Sequence, residues 1–158
     1  MNSPVQLPQT FPLTAAQKAI WLDQITQAES PLYNIGGYVD FAGPVVPGLI
    51  QRAVELLVAK HDALRTQLHS DGNGLPRQTF ATALTTEVTL HDFSALPDPK
   101  AATQALMQAT MSRPYAMTGE PLFRFFLVKL DDDHYRLGTQ AHHLILDGWG
   151  FGQMLQSL

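Results

Sequence analysis

Apolar positions fall into helical rhythm only after residue 13. The preceding stretch carries three prolines and few charges, so residues 1–13 read as an extended lead-in. Thr14 and Gln17 have the spacing of a capping box, and Ala16, Ala19, Ile20 and Trp21 supply an apolar face until Ser30 and Pro31 end the helix. "YNIGGYVDFAG" is rich in β-branched and aromatic residues, which predicts a strand over 34–42 with a bulge or a close backbone approach at Gly36 and Gly37. Pro47 suits a first helical turn, and Ile50, Ala53, Val54 and Leu57 recur at helical spacing up to Lys60. "ALRTQLH" alternates like a strand, "DGNG" supplies a hairpin turn, and "PRQTF" returns antiparallel. "TEVTLHDF" predicts another strand, and Asp98-Pro99 opens a third helix that ends before Pro114. "LFRFFLVKL" and "HYRLGTQAHHLIL" form a second hairpin around the acidic turn "DDD". A last helix begins near Trp149 and the chain stops inside it, which reads as a cut within a longer domain. Helices interleaved with antiparallel pairs predict a two-layer α/β sandwich with a mainly antiparallel sheet.

Composition narrows the function classes. At 158 residues, 45 % hydrophobic and 15 % charged, the chain can bury one ordinary core. A net charge of −4 with scattered bases gives no stripe for a phosphate backbone, so nucleic acid is not an expected partner. The absence of cysteine excludes disulfides, thiolate metal sites and a cysteine nucleophile, and fits a reducing cytosol. No signal-like N-terminus is present, and no apolar run approaches the roughly 20 residues of a bilayer span. The expectation is a cytoplasmic chain with no membrane partner.

The chemistry concentrates in "AHHLILDGWG", residues 141–150. Side chains on a strand alternate faces, so His142 and His143 point to opposite sides and only one easily serves a given site. Histidine is the usual general acid or base near neutrality. The plain alternative is a pair of satisfied histidines followed by an Asp147-Gly148 turn. Adjacent positions on opposite faces cannot converge on one ion, so no metal is expected. The chain lacks "GxSxG", "GxxxxGK" and "GxGxxG". Lys60, Arg65 and Arg124 read as surface charges with buried stems. A buried Asp147 would need a cation, with arginine favoured for its bidentate fork.

"HHLILDG" resembles the HHxxxDG motif of condensation domains of nonribosomal peptide synthetases and of the chloramphenicol acetyltransferase-like superfamily. "LTAAQKAIWL", residues 13–22, resembles the first condensation-domain motif, and "KHDALRTQL", residues 60–68, resembles the second, with Lys60 where arginine is common. The order and spacing of all three match. The resemblance implies a chloramphenicol acetyltransferase-like half domain over 14–158, the N-terminal lobe of a two-lobed domain whose C-terminal lobe is missing. It implies a tunnel between the lobes with His143 at its mid-point. There His143 would orient or deprotonate an acceptor amine attacking a donor thioester, and no covalent acyl-enzyme is needed. His142 would be structural, Asp147 would pair with Arg65, and Gly148 would let the backbone approach the tunnel, with Trp149 and Gly150 as further tunnel candidates. Both substrates would arrive on phosphopantetheine arms of donor and acceptor peptidyl carrier domains, so the chain itself would bind no cofactor. A downstream adenylation domain is a further implied partner, and Met1 directly before the first motif suggests the N-terminus of the parent protein. Epimerisation domains and stand-alone acyl-CoA-dependent acyltransferases share the double histidine, and the isolated lobe could instead only dock carriers.

Overall fold

The structure, a computed structural model, describes residues 9–71 and 74–158. The elements run β1 (Phe11–Pro12), α1 (Ala15–Thr26), β2 (Asn34–Ala42), α2 (Pro47–Lys60), a 3-10 turn (Asp62–Arg65), β3 (Thr66–Ser70), β4 (Pro76–Phe80), β5 (Val88–Asp92), α3 (Pro99–Met111), β6 (Phe123–Asp131), β7 (His134–His142) and α4 (Gly148–Gln156). They form a small sheet ordered β1-β4-β3 and a larger one ordered β2-β7-β6-β5. Every pairing is antiparallel except β5 with β6, where α3 supplies the crossover that a parallel pair requires. This is the expected α/β sandwich with a mainly antiparallel sheet. Residues 1–8 of the lead-in and the tip of the "DGNG" turn, Gly72 and Asn73, lie outside the described residues. The end of the lead-in, Phe11–Pro12, is extended and pairs with β4 opposite Gln78 and Arg77.

Local chemistry sets the helix starts. Thr14 closes both halves of the capping box with Gln17 on α1, and Asp98 accepts from the Ala101 N–H to cap α3 just before Pro99. The inward face of α1 differs from the expected one: Ala16 and Ala19 are exposed, whereas Gln17, Ile20, Trp21 and Gln24 turn inward. Those positions follow i, i+3, i+4, i+7, so the stripe is helical but has glutamines at both ends. "ALRTQLH" also starts differently, because its first residues close the 3-10 turn, with the Leu64 N–H on the His61 carbonyl, and the strand begins only at Thr66. β7 ends at His142 rather than running through "LIL": the His143 N–H makes a last in-register bond to the Tyr33 carbonyl, and the Ile145 N–H then turns back to the His142 carbonyl.

The large sheet has two differently used faces. Phe125, Leu127, Leu137 and Ala141 belong to one core with Val54, Leu57 and Val58 of α2 and Phe151 and Met154 of α4. On the opposite face α3 crosses, and the Met111 sulfur would lie 2.5 Å from a Cβ added at Gly36; Gly37 faces the Phe151 ring of α4. The glycine pair is therefore a close approach on both faces, and the β2 register runs through it without a bulge. Gly138 is tighter still. It pairs with Phe126, whose ring lies across it so that an added Cβ would sit 2.1 Å from a ring carbon. Gly138→Ala is expected to evict that ring and cost about 1–3 kcal/mol, read as a lowered melting temperature. Among the described residues no helix is long and apolar enough to cross a membrane.

Candidate active site

β7 delivers His142 as its last residue, opposite Asn34 of β2. Its ring is 0 % exposed. Nε2 lies 3.1 Å from Gln24 Oε1, and Nδ1 accepts the Leu144 N–H at 3.1 Å. An amide oxygen can only accept and a backbone N–H can only donate, so both bonds are satisfied together by the neutral tautomer with its proton on Nε2. Tyr33 and Tyr115 close the ring in, each with its centroid 5.9 Å away. Burial, followed by the neighbouring His143, pushes the His142 pKa down to about 4. At neutral pH His142 is an uncharged strut.

His143 is held differently. Its backbone N–H bonds the Tyr33 carbonyl at 2.8 Å, and the next residues, Leu144 and Ile145, return to the core. Gln17 Nε2 reaches the Leu144 carbonyl at 3.4 Å. The His143 imidazole is half-exposed and has no hydrogen-bond partner among the described residues. The backbone on both sides is thus fixed while the ring remains free for another molecule.

The expected pairing of Asp147 with Arg65 is not made. Asp147 is exposed and caps α4, accepting the Gly150 N–H at 2.7 Å. Water and a helix N-terminus satisfy that carboxylate, so no buried charge requires an arginine. Arg65 bonds Asp62 and the Ala81 carbonyl instead, tying the 3-10 turn to the end of β4. Asp147→Asn is therefore expected to leave stability within about 0.5 kcal/mol, whereas Asp147→Ala costs about 1 kcal/mol. Because Asp147 and Arg65 share no partner, the losses for Asp147→Ala and Arg65→Ala should add in urea unfolding.

The remaining site residues follow. A Cβ at Gly148 would meet nothing within 4 Å among the described residues, so the first position of α4 has open space beside it. At Gly150 an added Cβ would lie 3.2 Å from Leu146 Cδ2 and 3.3 Å from Asp147 Oδ1, which makes that glycine part of the cap. Trp149 is 78 % exposed and points away from the core. Lys60 is exposed at the end of α2. Among the described residues no group of three or more His, Asp or Glu side chains could hold a metal. Sequence reasoning missed Gln24, Tyr33 and Tyr115. Gln24 had a signal: with Gln17, Ile20 and Trp21 it completes one helical stripe. Tyr115 had none, since it reaches His142 from an irregular segment, with the Arg124 guanidinium 3.8 Å over its ring.

A condensation-domain family model matches residues 8–158. The chain belongs to the condensation domain family. Phosphinothricin tripeptide synthetase PhsC of Streptomyces viridochromogenes is 36% identical over 150 residues, covering 93% of this chain and 14% of that protein. Enterobactin synthase component F of Escherichia coli is 33% identical over 145 residues, 90% of this chain and 11% of that one. The starter condensation domain of rhizomide synthetase RzmA superposes with a TM-score of 0.89 at 32% identity, over 94% of this chain and 37% of the solved chain. The chain thus spans well under half of each of these proteins, in keeping with one lobe of a chloramphenicol acetyltransferase-like domain.

Proposed function

We propose that this chain is the histidine-bearing, N-terminal lobe of a nonribosomal peptide synthetase condensation domain, with His143 at the reacting atoms. The observation that carries this reading is the division between the two histidines: one buried, doubly bonded and neutral, the next half-exposed with a free ring. A missing C-terminal lobe would close the tunnel over His143. Donor and acceptor carrier domains would present their substrates on phosphopantetheine arms, an adenylation domain would select the acceptor amino acid, and the setting would be cytoplasmic.

In the proposed reaction the acceptor amine attacks the donor thioester carbonyl. A C–N bond forms, the tetrahedral centre collapses, and the C–S bond breaks to release the donor arm as a thiol. The proton lost by the amine passes to that sulfur, either through His143 or directly while His143 orients the amine. Because His142 stays neutral, a proton taken up by His143 does not meet a charged neighbour.

The test is reconstitution of the two-lobed domain with an acyl-loaded donor carrier and an aminoacyl-loaded acceptor carrier, followed by intact mass. The acceptor should gain the mass of the acyl group. Transfer from acyl-CoA but not from the carrier would favour a stand-alone acyltransferase. Inversion of the aminoacyl group without a mass change would favour epimerisation, and carrier binding without either would leave a docking fragment.

A further inference from the structure

Gln24 stands on α1, remote in sequence from the double histidine, yet it is 2 % exposed and in contact with it. Its amide is used at both ends. The NH2 group donates to the carbonyls of Gln27 at 3.1 Å, Ala28 at 3.4 Å and Ser30 at 3.1 Å, in the turn that follows the end of α1. With its nitrogen committed to carbonyls, the amide orientation is fixed and the oxygen is left facing His142. An acceptor at that place selects the Nε2–H form of the ring. The Nδ1 lone pair is then free for the Leu144 N–H, and that bond bends the chain immediately after His143. Among the described residues no other side chain beside the ring accepts from Nε2, since Tyr33 donates its hydroxyl to Asp23, the Tyr115 hydroxyl has no partner and Arg124 is engaged with the Arg113 and Pro114 carbonyls; the Leu144 N–H, donating to Nδ1, selects the same tautomer from the other side.

We propose that Gln24 is a positioning residue for the reaction: together with the Leu144 N–H it holds His142 in the Nε2–H form and, through the His142–Leu144 bond, fixes the place of the His143 imidazole. This rests on the condensation reading for its consequence in catalysis, while its structural half stands without it. Gln17 braces the same segment from the other end of the α1 stripe, through the Leu144 carbonyl.

Long-range proton–nitrogen NMR correlations on the chain labelled with 15N-histidine, at neutral pH, distinguish a protonated ring nitrogen from a bare one. His142 should show protonated Nε2 and bare Nδ1. Gln24→Met, which keeps the length and loses the acceptor, leaves the Nε2–H unpaired and should shift the His142 Nε2 and the His143 resonances. In the two-lobed domain the same variant should lower kcat for transfer about ten- to a hundred-fold, with KM changed less than about two-fold. Should Gln24→Met fail to fold, Gln24→Glu takes its place; its carboxylate draws a second proton to His142, so both ring nitrogens should become protonated. A wild-type His142 with protonated Nδ1, variants with an unchanged His142 spectrum, or a changed spectrum with unchanged kcat each overturns the proposal. Transfer that survives His143→Ala defeats the condensation reading and leaves the tautomer result standing.

Discussion

His143→Ala in the two-lobed domain is expected to reduce amide transfer by about two to four orders of magnitude, the usual range for a lost acid–base group. The same change should barely move the melting temperature. The side chain is half-exposed and makes no hydrogen bond among the described residues, and the bond that anchors this position, from its N–H to the Tyr33 carbonyl, belongs to the backbone and survives the substitution. A change of that kind costs within about 0.5 kcal/mol. The identical substitution one residue earlier should behave in the opposite way. His142→Ala empties a fully buried site and strands the Leu144 N–H and the Gln24 oxygen, a loss of about 2–5 kcal/mol. Thermal melts and transfer rates on the two variants therefore separate the strut from the reacting group.

Acidification is the second large effect. His142 goes from 6.5 when unfolded to about 4 in the fold, so between those values the unfolded chain holds a proton that the folded chain does not. Stability contributed by the neutral ring is complete above the unfolded value and is lost as the pH falls through this window, at about 1.4 kcal/mol per pH unit and roughly 3 kcal/mol in all. The exposed carboxylates of Asp92 and Asp131, held low by hydrogen bonds, lose their contribution only as the pH drops below their unfolded value of 3.8. Urea unfolding followed from neutrality to about pH 5 should thus lose stability with a slope near one proton. A flat profile contradicts a buried, neutral His142.

Much of the scaffold was legible because local chemistry marks where elements begin. The capping box at Thr14, Asp98 before Pro99, and Pro47 at a helix start each mark the observed boundary. The opposed fates of the two histidines also follow from strand alternation, even though the strand stops at the first of them. What the sequence hid was non-local. The parallel pairing of β5 with β6 depends on where α3 crosses, and no turn residue announces it. The bond between Gln24 and His142 spans 118 positions and involves a glutamine where an apolar residue would satisfy the helical pattern. Asp147 misled for a different reason. An aspartate after "LIL" suggests burial, but the glycines that follow let the chain start a helix at the surface, and the carboxylate caps it. Arg65 is likewise drawn to the acid three residues before it rather than to one far along the chain.

The most direct test of the central claim is a single-turnover transfer in the two-lobed domain with both carriers loaded, comparing wild type with His143→Ala and reading the acceptor carrier by intact mass. The account predicts that the donor group stays on its own carrier in the variant while the wild type converts fully and both proteins melt alike. Transfer by His143→Ala at the wild-type rate would contradict it.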